Sequence, residues 1–268
     1  MTENKIIATL YIVSTPIGNL DDITYRAVQV LGNIDALACE DTRQTRKIFT
    51  RYDIPAPKIF FAYHEHNEEA AGRKIIKLLQ EDKRIALCTD AGTPGISDPG
   101  YRIISEAIKQ GFHVEIIPGP SAVTSALLAS GLPTSSFTFK GFPPRKPGQR
   151  KKFLTMEKDL PHTLVFFESP QRVEAFLMDA LDTLGNRMAA VCIDMTKMFE
   201  EIHKGFLEEL VQLFTGKKIK GEVTLVIAGN HPKFIKEMEP CQPPKTQKTQ
   251  MKQKSLKKQM KKVKMENA

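Results

Sequence analysis

The feature that narrows the fold most is the order of short apolar runs and helix-patterned segments across the first 130 residues. Strand-like runs at Ile6–Val13, Ala36–Cys39, Lys58–Ala62, Ile85–Thr89 and Val114–Ile117 take turns with segments of helical spacing. Several of these runs are continuously apolar, which marks strands covered on both faces by helices. Between them, Asp21 and Asp22 are placed to cap a helix running to Leu31, and Gln44–Tyr52 reads as a second helix. Glu68–Leu79 carries Ile75, Ile76, Leu78 and Leu79 on one side, and Tyr101–Gln110 and Ser121–Ser130 follow as further helices. An α/β fold built on a covered sheet is the expectation.

The texture then changes. Gly131–Gly148 is rich in Gly and Pro and reads as a domain junction with a long surface loop. A second α/β set is expected beyond it: helix Lys151–Lys158, strand Leu164–Phe167, helix Arg172–Leu184, strand Ala189–Ile193, helix Phe206–Phe214 and strand Thr224–Ile227. Charge separates the end of the chain from the rest. The formal net charge is +8, and the nine Lys and one Glu from Cys241 onward account for all of it. A protein that coats nucleic acid with a uniformly basic surface is excluded. The tail, Pro240–Ala268, is rich in Lys and Gln and is expected to be disordered in isolation or helical only on binding. Cys39, Cys88, Cys192 and Cys241 form no CxxC pair, and the first three lie in apolar runs, as reduced core thiols of a cytoplasmic protein would. No apolar run is long enough to cross a membrane, and the N-terminus has no signal-peptide pattern.

Chemistry concentrates where strands end. Asp90-Ala-Gly-Thr-Pro-Gly-Ile-Ser-Asp-Pro-Gly100 follows one strand and precedes a helix, where α/β sheets bind ligands. Ser14-Thr-Pro-Ile-Gly-Asn19 and Pro118-Gly-Pro-Ser-Ala122 should gather at the same edge, the latter opening a helix with free amides. None of the three is a dinucleotide or P-loop fingerprint. Glu40, Asp41 and Arg43 end another strand, where they either pair with one another or face the cleft as proton acceptor and phosphate holder. His64-Glu65-His66 offers two imidazoles but no evident third ligand, so no metal is expected. Glu168 and Arg172 form either a salt bridge or a substrate clamp. Lys140, Arg145, Lys146, Arg150, Lys151 and Lys152 come with no acidic residue between them and with Phe139, Phe142 and Phe153 nearby, which reads as a phosphate-binding surface for RNA.

Taken together and in order, Leu10–Leu20, Ala38–Arg43, Tyr63–Asn67, Asp90–Gly100, Ile117–Ala122, Ser130–Pro133, Phe167–Pro170, Gly221-Glu222 and Thr224–Gly229 resemble the tetrapyrrole-methylase superfamily. Within it they resemble the small-subunit ribosomal RNA methyltransferases that act on a cytidine ribose 2′-oxygen, over roughly residues 8–230. The resemblance implies a two-domain class III methyltransferase fold with a cofactor cleft between residues 1–118 and 119–235, followed by the tail, 236–268. It implies S-adenosylmethionine held by Pro16, Asp90, Gly92, Thr93, Ser97, Pro120, Ser121, Ala122 and Ala228, with Glu40, Asp41 and Arg43 as the favoured catalytic residues. The implied partners are 16S ribosomal RNA in the small subunit and a second copy of the chain, with no membrane and no DNA. One departure is Ile193-Asp194-Met-Thr-Lys197, where family members commonly carry Arg-Glu-Leu-Thr-Lys. The other is the short Lys-rich tail, which stands where relatives often have a further helical segment. A small-molecule methyltransferase of the same fold and a non-catalytic RNA-binding assembly factor are the competing readings.

Overall fold

The structure is a computed structural model that describes residues 8–236; the Lys-rich tail and Cys241 lie outside the described residues. In chain order the first half runs β1 (Thr9–Val13), α1 (Tyr25–Leu31), β2 (Ala36–Cys39), α2 (Thr42–Arg51), β3 (Ile59–Ala62), α3 (Glu68–Gln80), β4 (Arg84–Cys88), α4 (Tyr101–Lys109) and β5 (His113–Ile117). The five strands pair in parallel in the order β3-β2-β4-β1-β5. Alternate residues face opposite cores. Leu10, Ile12, Ile85 and Leu87 pack against α3 and α4, while Val13, Leu37, Ala86 and Cys88 pack against α1 and α2. Burial of both faces is why these strands read as continuous apolar runs.

The second half begins with α5 (Ala122–Ser130), which packs on the second sheet rather than the first. It continues through β6 (Phe137–Phe139), α6 (Pro147–Thr155), β7 (Thr163–Glu168), α7 (Val173–Leu184), β8 (Met188–Ile193), β9 (Glu201–Phe206), α8 (Leu207–Phe214) and β10 (Val223–Ile227). The sheet order is β6-β7-β10-β8-β9, and every pairing except β6 with β7 is antiparallel. Helices α6, α7 and α8 cover one face and α5 the other.

Three expectations change. Asp21 and Asp22 do not cap the first helix. They sit in a 3-10 turn, Leu20–Asp22, capped by Asn19, and the Thr24 hydroxyl caps α1 by accepting from the Ala27 amide at 3.1 Å. The helix expected at Lys151–Lys158 starts earlier, at Pro147, because proline is tolerated in a first turn where amides are unpaired anyway. Strands β6, inside the segment expected to be a junction and loop, and β9 are additions to the expected elements. Both are edge strands, and in β9 Glu201, His203 and Lys204 break the apolar run that betrays a central strand. Cys39, Cys88 and Cys192 are buried free thiols, and burial pushes the Cys39 and Cys192 thiols up to about 11.

Candidate active site

In the first sheet, β1 leads through α1 to one side, and its neighbour β4 leads through α4 to the other. Because α1 and α4 lie on opposite faces, the loops after β1 and β4 diverge and leave a crevice at the carboxyl ends of these strands. The two loops are stitched together across its base. The Thr15 amide donates to the Gly92 carbonyl at 2.8 Å, the Gly92 amide donates back at 3.1 Å, and the Ser14 and Thr93 hydroxyls meet at 2.8 Å. Gly92 makes this turn with φ of +84°, where a side chain would be strained. Gly100 closes the loop under another constraint, since a Cβ there would lie 2.9 Å from the Gly95 nitrogen.

A cavity of about 320 Å³ opens over this crevice. The first half contributes Ile17, Gly92, Thr93 and Asp98, and α5 contributes Ser121 and Ala122 from its N-terminus. The second half closes it with Phe142, Phe167, Glu168, Met195 and Gly221–Thr224. A second groove of about 450 Å³ adjoins the cavity. It shares Ile17, Ala91 and Glu222 with the cavity and adds Pro16, Gln44, Lys47, Thr89, Asp90 and Lys197.

Of the residues expected at the cofactor, Gly92, Thr93, Ser121 and Ala122 line the cavity. Pro16 and Asp90 lie on the adjoining groove, and Pro120 on a shallow depression beside Pro118 and Gly119. Ser97 is exposed in the loop between β4 and α4, with φ of +66°. Ala228 stands apart: it is fully buried, and its carbonyl accepts from the buried Arg187 guanidinium at 3.4 Å. Thr224, on the strand β10 that precedes it, reaches the cavity together with Val223. Phe142 stands out in the sequence only as an aromatic beside the basic segment, and Met195 carries no signal of a cavity role. Glu168 does, because Phe167-Glu-Ser-Pro170 repeats the strand-to-polar pattern of the first half.

The charged groups divide by their partners. Arg43 binds Asp41 at 2.8 Å, and Asp41 also accepts from the Arg43 amide as the N-cap of α2. The Arg43 guanidinium and amide hold the Asp41 carboxyl down at about 2. Glu40 accepts the Thr89 hydroxyl at 2.8 Å and the Asp90 amide at 3.4 Å, and lines neither the cavity nor the groove. Asp90 accepts from the Asp41 amide at 3.0 Å, and burial raises its pKa. Asp98 is pushed up to about 6, chiefly by burial and further by the carboxylates of Glu40, Asp90 and Glu222, against a hydrogen bond with Thr89.

Glu168 and Arg172 form an ion pair at 3.0 Å, and Arg172 also donates to the carbonyls of Pro143 and Pro144 at 2.6 and 3.2 Å. The pair therefore anchors the loop that carries Phe142. Lys197 bridges Asp194 at 2.7 Å and Glu222 at 3.1 Å beside the groove. Among the described residues no cluster of three His, Cys, Asp or Glu side chains is arranged to hold a metal. His64 and His66 lie at the end of the outer strand β3, away from both openings.

Half of the basic segment is already occupied. Lys140 pairs with the buried Glu157 at 2.6 Å, Arg150 with Asp179 at 2.6 Å and Lys151 with Asp182 at 2.6 Å. Only Arg145, Lys146 and Lys152 are exposed without an ion pair among the described residues. The expected six-cation surface thus shrinks to three, because folding brings acids from α7 and from the turn after α6 against the others.

Comparison with known proteins agrees with this architecture. The family model Tetrapyrrole (Corrin/Porphyrin) Methylases matches residues 9–211. A Halalkalibacterium halodurans protein named ribosomal RNA small subunit methyltransferase I is 48% identical over 229 residues, covering 85% of this chain and 78% of that one. Its namesake from Thermotoga maritima is 42% identical over 220 residues, covering 82% and 98%. Among solved structures, uroporphyrin-III C-methyltransferase from Thermus thermophilus shares the fold with a TM-score of 0.58 at 18% identity, covering 82% and 94%. With its two sheets meeting over one crevice, the chain belongs to the tetrapyrrole methylase family and, within it, to the ribosomal RNA small subunit methyltransferase I group.

Proposed function

We propose that this protein methylates the 2′-hydroxyl of a cytidine ribose in the 16S RNA of the small ribosomal subunit, using S-adenosylmethionine. The observation that carries the reading is the cavity at the β1/β4 crevice, walled by apolar side chains and edged by the start of α5. Ser121, the N-cap of α5, makes no capping hydrogen bond with its side chain, which leaves amides of the first turn for a ligand carboxylate. The apolar walls from Ile17, Phe167, Met195 and Val223 suit an adenosine. These features fit S-adenosylmethionine, which when bound supplies a methyl group already activated by its sulfonium.

The chain's own task is then to align an acceptor hydroxyl, exclude water and receive a proton. The adjoining groove, which opens into the cavity wall at Ile17, Ala91 and Glu222, is suited to the acceptor nucleotide. Exposed Arg145 and Lys146, on the loop that carries Phe142, suit an anionic polymer better than a small neutral substrate. The family resemblance supports a homodimer and a cytoplasmic location. Among the described residues no helix is long and apolar enough to cross a membrane.

Purified protein incubated with small ribosomal subunits and methyl-labelled S-adenosylmethionine should yield labelled 2′-O-methylcytidine after digestion to nucleosides. Label on a base, or no label from a folded protein, overturns the assignment.

A further inference from the structure

At the end of the second sheet that faces the cavity, the turn between β8 and β9 (194–200) meets the loop between α8 and β10 (215–222). The two are bonded at both ends. The Asp194 amide donates to the Glu222 carbonyl at 2.9 Å, and the Glu222 amide donates to the Asp194 carboxylate at 3.2 Å. Lys197 joins both carboxylates, and Lys217 pairs with Glu201 at 3.4 Å. Gly221, with φ of +88°, passes Asp194 so closely that a Cβ there would run into its carboxylate. The first half braces the same turn, because the Asn19 amide donates to the Thr196 hydroxyl at 3.1 Å.

The turn is fixed, yet its tip is bare. The Glu200 carboxylate accepts from the Thr196 amide at 2.7 Å, and the Glu200 amide donates to the Lys197 carbonyl at 3.2 Å. Met198 and Phe199 take the two central positions of that last tight turn. They are 90% and 78% exposed, the highest values among the large apolar side chains of the described residues. A turn braced from both sides holds these side chains in water until a partner covers them. Lys218 and Lys220 lie between the two anchor points of the neighbouring loop, exposed and without an ion pair among the described residues. The acids nearby are occupied: Glu200 by the Thr196 amide, Glu201 by His203 and Lys217, Glu222 by Lys197. The uncommitted charge beside the tip is therefore positive.

Single-stranded RNA matches both features, since a base offers a flat face to an aromatic ring and its backbone offers phosphates to lysines. The surface is also continuous with the site, because Lys197 lines the groove and Met195 the cavity. A second copy of the chain suits it less. A symmetric contact there brings these lysines toward their own copies, and Lys is depleted at the centre of protein interfaces. We infer that Phe199, with Met198, stacks on an unpaired base of the RNA strand next to the acceptor nucleotide, while Lys218 and Lys220 hold phosphates of that strand. The inference rests on the ribosomal RNA reading above and adds a contact surface to the one at Arg145 and Lys146. Stacking of this kind grips a strand whatever its sequence.

The chain contains no Trp, so Phe199→Trp places a single fluorescent reporter at the tip. Titrating this full-length variant with a short single-stranded oligoribonucleotide at low salt should quench its fluorescence, as stacking on a base does. Phe199→Ala should weaken binding to small ribosomal subunits by on the order of 5–150-fold with the salt dependence unchanged, and Phe199→Trp should keep the wild-type affinity. Lys218→Gln combined with Lys220→Gln should lower the slope of log affinity against log salt by about 0.7 for each single-strand phosphate no longer held. Each variant should bind S-adenosylmethionine in calorimetry as the wild type does; a Phe199→Ala protein that loses the cofactor as well has a structural tip, which overturns the inference. Fluorescence that RNA leaves unchanged also overturns it, and so does a signal that follows protein concentration instead, because a second copy then covers the tip. A wild type that methylates small subunits while the Phe199→Ala and lysine variants bind them equally well overturns this inference alone. A wild type that neither binds nor methylates small subunits overturns the ribosomal RNA reading and this inference with it.

Discussion

At the scale of single residues, the partner decides the chemistry of each carboxylate. Asp41 has a guanidinium and an amide, so it ionises early and holds the start of α2. Its contribution to stability is complete above the ordinary value of 3.8 and is lost as pH falls toward about 2. Asp98 behaves in the opposite way. The folded protein keeps its proton up to about 6, whereas the unfolded chain releases it near 3.8, so across that interval stability falls as pH rises. Asp98→Asn should therefore raise the melting temperature at about pH 8, and the gain should vanish at about pH 3, below both values; calorimetry at the two pH values checks this. An equal gain at both would mean that Asp98 is not held protonated by its surroundings. That Glu40, Asp41 and Arg43 end a strand is legible in the sequence. The alternatives open for them there are separated only by the distance from Arg43 to Asp41 and by the Thr89 hydroxyl, 49 residues away from Glu40.

At the scale of elements, local signals suffice where they are unopposed. The covered strands of the first sheet and the helices α3 and α4 lie close to where their apolar spacing puts them. The start of α1 is ambiguous in the sequence because three side chains near it can cap. Asp21 and Asp22 are as suitable as Thr24 by residue type, but only Thr24 has its hydroxyl within reach of a helix amide. Thr24→Ala should cost about 1 kcal/mol in urea denaturation, whereas Asp22→Ala should change stability by less than about 0.5 kcal/mol. The reverse order would return the cap to the aspartates. Strand β9 is hidden in the sequence for a different reason. An edge strand needs only one neighbour and tolerates polar residues on its open side, so its pattern is set by its place in the sheet.

At the scale of the whole molecule, charge is redistributed by folding. The basic stretch around Arg145 is uniform in the sequence, yet Lys140, Arg150 and Lys151 serve α6 and α7 as internal ion pairs. The loop keeps Arg145 and Lys146 exposed and free of these pairs, and Arg172 and Glu168 hold it over the cavity. Replacing Arg145 and Lys146 by Gln should weaken subunit binding and lower the slope of log affinity against log salt by about 0.7–0.9 for each phosphate that is no longer neutralised. Lys140→Gln should leave that slope alone and lower stability instead, since it strips the buried Glu157 of its partner. Filter binding across a salt series, beside thermal melts, separates the two outcomes; a slope that moves with Lys140 and not with Arg145 would reverse the assignment.

Sequence alone determined the covered α/β sheet, because strands buried on both faces must be apolar at every position. It also determined which loops form the crevice, because Gly and Pro are needed where the chain turns sharply at strand ends. Family membership was legible for the same reason, being written in those loops. The tertiary structure alone decided how each carboxylate is partnered, which cations of the basic segment stay unpaired and which residues of the second half close the cavity. Such properties depend on what lies within a few ångströms in space, and residues far apart in the chain, such as Thr89 with Glu40 and Arg150 with Asp179, meet only when the whole chain has folded.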